Sequence, residues 1–345
     1  MAPRLFRALR ACLLVAAGLL APRAASADPV ADFYAGRTMI MLVGYEAGSG
    51  NDILARLVAK HMRDHLPGAP TFVVQNMPGV ASLKAANYLY NVAPRDGSVV
   101  ATIGRNIPTA PLLDTANAKF DARKFTWLGS VSRTVTLAMA WHASPVKSLA
   151  DATRMELIVG APAATSEAAR LPLIYNATIG TRFKVITGYP EPQIALAMER
   201  GELAGQAAVS LDSLFAAHGD WIRNRQVTLL MQSGFAPDAR IPDVPLGIDH
   251  AKSPADRQLL AFIGLPYEMS RPFAAPPGLP PERAAALVEA MRATIADPDF
   301  RADAAQAKID VIAPASAAEV ATLIDKIYAT PAAVVARSRK LLGTN

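Results

Sequence analysis

The stretch Gly44-Tyr45-Glu46-Ala47-Gly48-Ser49-Gly50-Asn51-Asp52 joins an apolar run to a helical pattern. Glycines let backbone approach a ligand closely, and the N–H groups at a helix start attract anions. It lacks the Lys-Ser/Thr of a phosphate loop, and Ile53 stands where a dinucleotide fingerprint needs its third glycine. Nucleotide binding is therefore set aside. Two readings remain open from the loop alone. Ala47 to Gly50 supply N–H groups to a carboxylate, or the loop is a plain tight turn with Asp52 capping the helix.

Other candidates are weaker. His61 and His65 are four apart, but His-Met-Arg-Asp-His has no zinc-protease glutamate. They read as an exposed polar helix end, and no metal or other cofactor is expected. His142, His218 and His250 are isolated. There is no Gly-x-Ser-x-Gly elbow, and the one cysteine, Cys12, lies in a segment expected to be removed. An enzyme is not expected. Arg105-Asn106 follows a strand, where open α/β sheets bind ligands, and Arg105 can take an anion in two-pronged fashion. A surface salt bridge is the alternative. Ala161-Pro162-Ala163-Ala164-Thr165-Ser166 precedes another helix and is the natural opposing partner, or an ordinary cap.

The elements positioning these residues alternate. Thr38 to Val43 reads as a buried strand, and Ile53, Leu54, Leu57, Val58 and Met62 share one face of a helix over 52–66. Pro67-Gly68 stops it. Strands at 71–74 and 99–103 flank a helix at 83–90, which predicts a parallel sheet covered by helices. The segment 127–141 is apolar without a clear helix. Strands at 156–160, 183–187, 204–209 and 227–231 then alternate with helices at 166–180 and 193–200. A strand at 269–274 and helices at 282–296, 317–328 and 331–342 complete the chain. The expected fold class is α/β with two lobes, the chain crossing between them near 127–136 and 232–245. Lobe 1 is taken as 28–130 plus 242–345, and lobe 2 as 131–241.

The chain has 345 residues, 52% of them hydrophobic, which gives a large core and excludes a disordered chain. Residues 1–27 read as a cleavable signal peptide: Arg4, Arg7 and Arg10, an apolar run from Ala11 to Ala21, then Ala25-Ser26-Ala27. Four of the 35 basic residues and none of the 29 acidic ones lie there, so the formal charge falls from +6 to about +2. No dense basic run suggests a nucleic-acid partner.

Val43 to Arg56 (VGYEAGSGNDILAR) resembles the first-strand loop of the Bug family, periplasmic substrate-binding proteins of tripartite tricarboxylate transporters. VVQNMPGVASLKAANYLYNVAPRDG (Val73 to Gly97), TGYPEPQIALAMERGEL (Thr187 to Leu203) and RPFAAPPGLP (Arg271 to Pro280) agree in the family's order. The resemblance implies a type II periplasmic-binding-protein fold with two lobes, a hinge and a ligand cleft. In the family one loop from each lobe holds a ligand carboxylate through backbone groups, partly through water. By position, Tyr45, Ala47, Gly48, Ser49 and Gly50 take the first-loop role, with Asp52 the family's aspartate at the helix start. Ser166 matches the family serine of the second loop, and Tyr189 falls in its Gly-Tyr-Pro motif. Ala163, Ala164 and Thr165 replace glycines there, Glu191 stands where a glycine is usual, and Ala204-Gly205 replaces Asp-Gly; added methyls restrict backbone approach.

The expectation is a monomeric periplasmic receptor for a small carboxylate, with membrane permease subunits of a tripartite tricarboxylate transporter as partners. Its ligand-binding residues would be Tyr45, Ala47, Gly48, Ser49, Gly50, Asp52, Arg105, Asn106, Ala163, Ala164, Thr165, Ser166 and Tyr189. A periplasmic sensor working through a membrane histidine kinase is the alternative.

Overall fold

A computed structural model describes residues 28–343; the expected signal peptide, with Cys12, lies outside the described residues. The chain forms, in order, α1 (Pro29–Tyr34), β1 (Thr38–Val43), α2 (Gly50–His65), β2 (Thr71–Asn76), α3 (Leu83–Asn91), β3 (Val99–Thr102), α4 (Ala110–Leu113), β4 (Thr126–Ser130) and β5 (Thr136–Trp141). It continues with α5 (Leu149–Arg154), β6 (Leu157–Ala161), α6 (Glu167–Thr178), β7 (Phe183–Thr187), α7 (Glu191–Glu199), β8 (Gly205–Ser210), α8 (Leu211–Arg223) and β9 (Val227–Gln232). Then come α9 (Pro254–Gly264), β10 (Pro272–Ala275), α10 (Pro281–Ala296), α11 (Pro298–Gln306), β11 (Ala315–Ser316), α12 (Ala317–Tyr328) and α13 (Ala332–Leu342).

Two sheets result. One has the order β11-β4-β10-β3-β1-β2, the other β7-β6-β8-β5-β9. The middle of each is covered on both faces, where the strands are apolar on both sides, whereas the edge strands β2 and β7 are partly exposed. In β1, Met39, Met41 and Val43 enter one core while Leu42 enters the other. In β5, Leu137, Met139 and Trp141 enter one and Ala138 and Ala140 the other.

The predicted parallel arrangement holds for β1 with β2 and β3. It does not hold for the whole sheet: β10 runs antiparallel to β3 and β4, and β11 to β4. In the second sheet β5 is antiparallel to β8 and β9. These are the strands beside the crossings, where the chain leaves one sheet for the other. Residues 131–135 connect β4 to β5, and they are laced to the returning chain. Val131 N–H donates to Arg271 O, Thr134 N–H to Tyr267 O, and Ser270 N–H to Ser132 O, at 2.9–3.1 Å. Between β9 and β10, α9 lies against both bodies: Leu259 and Phe262 pack into a core of the first sheet, Leu260 into one of the second. No helix among the described residues is long and apolar enough to cross a membrane.

Candidate functional site

A cleft of about 490 Å³ lies between the two sheets. Its walls come from loops at the carboxyl ends of strands in both, the position where open α/β sheets bind ligands. The first sheet contributes Tyr45, Gly50, Asn51 and Arg105; the second, Pro162, Ser166, Glu167, Ser210, Asp212 and Ser213. The floor is the pair of crossing segments, with Ser132, Thr134, Ser270 and Arg271.

The loop after β1 is held from within. Ser49, not Asp52, caps α2: its Oγ accepts the Asp52 N–H at 3.3 Å, so the helix begins at Gly50. Asp52 is buried and braces the turn. Its carboxylate accepts from the Gly48 N–H (2.8 Å), Arg56 Nε (3.0 Å) and Asn76 Nδ2 (2.8 Å). Burial pushes its pKa up, but those bonds outweigh it and hold the carboxyl below the usual range. The Ser49 N–H is likewise spent on Glu46 O at 3.2 Å. Gly48 sits at φ +80°, which a glycine adopts without strain. The structure therefore does not bring Ala47, Gly48, Ser49 and Asp52 to the cleft wall; Tyr45 and Gly50 reach it. Burial raises the Tyr45 hydroxyl pKa, against the opposing effects of the Ser82 hydroxyl and of Arg105 and Arg271.

The loop after β6 is more open. Ser166 caps α6, accepting the Ala169 N–H at 3.3 Å, and donates to Ala163 O at 2.7 Å. Ser166 lines the cleft, whereas Ala163 and Ala164 are exposed outside it. Thr165 and Asn106 face a separate apolar groove that Tyr267 also lines. Tyr189 is turned away: its hydroxyl donates to Glu202 at 3.4 Å and its ring packs beside the second sheet's core.

Arg105 does reach the cleft, already engaged. Its Nη2 meets Glu167 Oε2 at 2.7 Å, joining the two sheets' loops, and its guanidinium lies 4.5 Å over the Tyr267 ring. Desolvation lowers its pKa, but Glu167 more than restores it. Its Nε is buried with no partner.

Sequence reasoning missed the floor. Ser132 and Thr134 lay in a segment with no readable period, and Arg271 was seen only within a motif. Ser210-Leu211-Asp212-Ser213 was findable: a serine between a strand and a helix marks the same kind of loop that drew attention elsewhere. Thr134 Oγ1 donates to Asp212 Oδ2 at 3.3 Å, and Asp212 Oδ1 lies 2.8 Å from Arg240 Nη1. The histidines do not line the cleft: His61, buried rather than exposed as expected, and half-buried His65 each meet an aspartate, Asp303 and Asp297, at 2.8 Å.

No protein-family model matches the chain. A UPF0065 protein of Bordetella bronchiseptica is 28% identical over 273 residues, covering 77% of this chain and 78% of the relative. Among solved structures, a TctC solute-binding protein from Polaromonas superposes with a TM-score of 0.69 at 19% identity, over 90% of this chain and all of that one. MatC from Rhodopseudomonas palustris, with bound malate, gives 0.56 at 18% identity, over 89% and 99%. Both structural likenesses establish the fold, the two-lobed one of periplasmic binding proteins. Motif order, curated relative and fold thus agree, and the chain resembles the Bug family of solute-binding proteins in sequence and in architecture.

Proposed function

We propose that this protein is an extracytoplasmic receptor that captures a small carboxylate between two lobes, one built on each sheet and joined through the crossing segments near 131–135 and 267–271, and delivers it to a tripartite tricarboxylate-type permease. The observation that carries the reading is the cleft between the sheets. It is walled by strand-end loops of both bodies and lined with hydroxyls and two arginines that each keep a buried, unpartnered N–H. A buried donor without a partner costs about 1–3 kcal/mol, so such groups mark where a ligand's acceptor belongs. Malate held by a protein of the same fold agrees with an acidic ligand. The ligand-binding residues on this reading are Tyr45, Gly50, Arg105 and Ser166, with backbone near them, joined by the floor residues; closure is a hinge motion at the crossings.

A thermal-shift screen of the purified protein, stripped of bound ligand by denaturation and refolding, tests this. An organic acid at 100 times its Kd adds about 2.7 kcal/mol, a rise of several degrees in Tm. The acid should be recovered unchanged. Absence of a shift with every acid in a broad panel, or consumption of the one that binds, defeats the reading.

A further inference from the structure

The charges in the cleft are not equivalent. Arg105 is matched by Glu167 at 2.7 Å. Asp212 Oδ1 lies 2.8 Å from Arg240 Nη1 without a hydrogen bond to it, and Arg240 also grips Asp238 through Nε at 2.9 Å. Glu191 stands exposed at the rim. Arg271 differs: among the described residues no carboxylate lies within ion-pair distance of it, and its Nη1 is buried without a hydrogen bond. Asp212 and Asp310 act on it only from farther away, and desolvation lowers its pKa.

Its backbone is tied to the other crossing segment on both sides. The Arg271 N–H donates to Ser130 Oγ at 3.1 Å, and its carbonyl accepts from Val131 N–H at 3.1 Å. The guanidinium is thus presented from the crossing segments themselves, beside the hydroxyl-bearing Ser132, Thr134 and Ser270. A guanidinium offers two parallel N–H donors that match a carboxylate. A desolvated, unpaired one destabilises the empty protein, so its place there is explained by an anion it receives.

We propose that Arg271 is the docking cation for a ligand carboxylate, and that the cleft is matched to ligands presenting one carboxylate rather than two. The inference rests on the receptor reading above and sharpens its ligand class. A second carboxylate would meet Glu167 and Asp212, whose own cations are already engaged.

Calorimetric titration of the ligand-free protein with matched pairs tests both halves: glutamine against glutamate, asparagine against aspartate, butyrate against succinate, benzoate against phthalate. In the pairs that bind, the monocarboxylate should bind more tightly, by about tenfold or more. Arg271→Gln should weaken the best ligand by about 10- to 100-fold, and by more than Arg105→Gln does. The empty Arg271→Gln protein should melt at or above the wild-type Tm, because an unpaired, partly buried charge with one stranded N–H has been removed. Arg271→Lys, which keeps the charge and loses the fork, gives an independent variant and should fall between the two. Wild-type affinity in Arg271→Gln, or a larger loss in Arg105→Gln, overturns the docking role. A dicarboxylate that outbinds its partner overturns the ligand class. If wild-type protein binds no acid, the receptor reading itself fails and takes this one with it; if an acid binds and Arg271→Gln is unaffected, only this one fails.

Discussion

The two loops that face each other across the cleft start alike and are stabilised differently. Each runs from the end of a strand into a helix capped by serine, Ser49 in one and Ser166 in the other. Behind the first stands a buried carboxylate, Asp52, that gathers the Gly48 N–H, Arg56 and Asn76. The second has no such brace. Its acidic residue, Glu167, reaches across the cleft to Arg105 instead. The first loop is therefore shaped before any ligand arrives, while the second takes part of its order from the other body. Preorganisation on one side and adaptability on the other suit a site that must open and close.

The largest test of this contrast is Asp52→Ala. It empties a buried position and frees three donors, of which Arg56 and the Gly48 N–H are exposed to water, and should cost about 2 kcal/mol of stability, measured by urea denaturation. A cost below about 1 kcal/mol would mean that the first loop is not braced as described. The same group predicts a pH effect. The folded carboxyl titrates below its ordinary value of 3.8, so the stabilisation is whole above that value and is lost as pH falls through the lower, folded one. Asp52→Asn should flatten the acid limb of the stability curve below about pH 4.

Smaller effects come from the turns. Gly48→Ala meets no atom within 4 Å, so its cost is the strain of φ +80° alone, about 1 kcal/mol. Ser166→Ala removes a cap and should cost about 1 kcal/mol. Neither should approach the Asp52→Ala loss; equality among the three would erase the asymmetry.

The same contrast explains what the sequence disclosed. Residues 38–66 were readable because apolar run, glycine turn and helical spacing follow one another locally. Leu54, Val58 and Met62 are buried as the spacing requires, while Leu57 is half-buried and Ile53, expected on the same face, is exposed. In 127–141 every residue of β5 is buried, so no alternation marks it as a strand. The helices α8 and α9 also escaped notice; α9 is divided between two cores and shows a mixed face. The cleft was half legible. Loops at strand ends could be located, and Arg105 and Ser166 line it. The backbone N–H groups of Gly48 and Ser49 could not be known to be spent internally, since Asn76, which completes the brace, is 24 residues from Asp52. Arg271 became visible as a site residue only when the crossing segments near 131 and 271, separated by about 140 positions, were found hydrogen-bonded together.

The smallest expected effect sharpens the comparison most. The Arg105–Glu167 pair is partly solvated, so it contributes about 1 kcal/mol or less. That sum acts almost wholly on closure, because the pair spans the two bodies and supports neither sheet. Glu167→Gln should leave the urea-denaturation midpoint nearly unchanged. It should raise the radius of gyration of the unliganded protein in small-angle scattering, with the change masked at high salt, where the wild-type pair is itself screened. It should also release Arg105 for a second anion, so the affinity ratio of dicarboxylate to monocarboxylate should rise relative to wild type. A variant that loses global stability instead would place Glu167 alongside Asp52 as a brace, and the two loops would then be built on one plan.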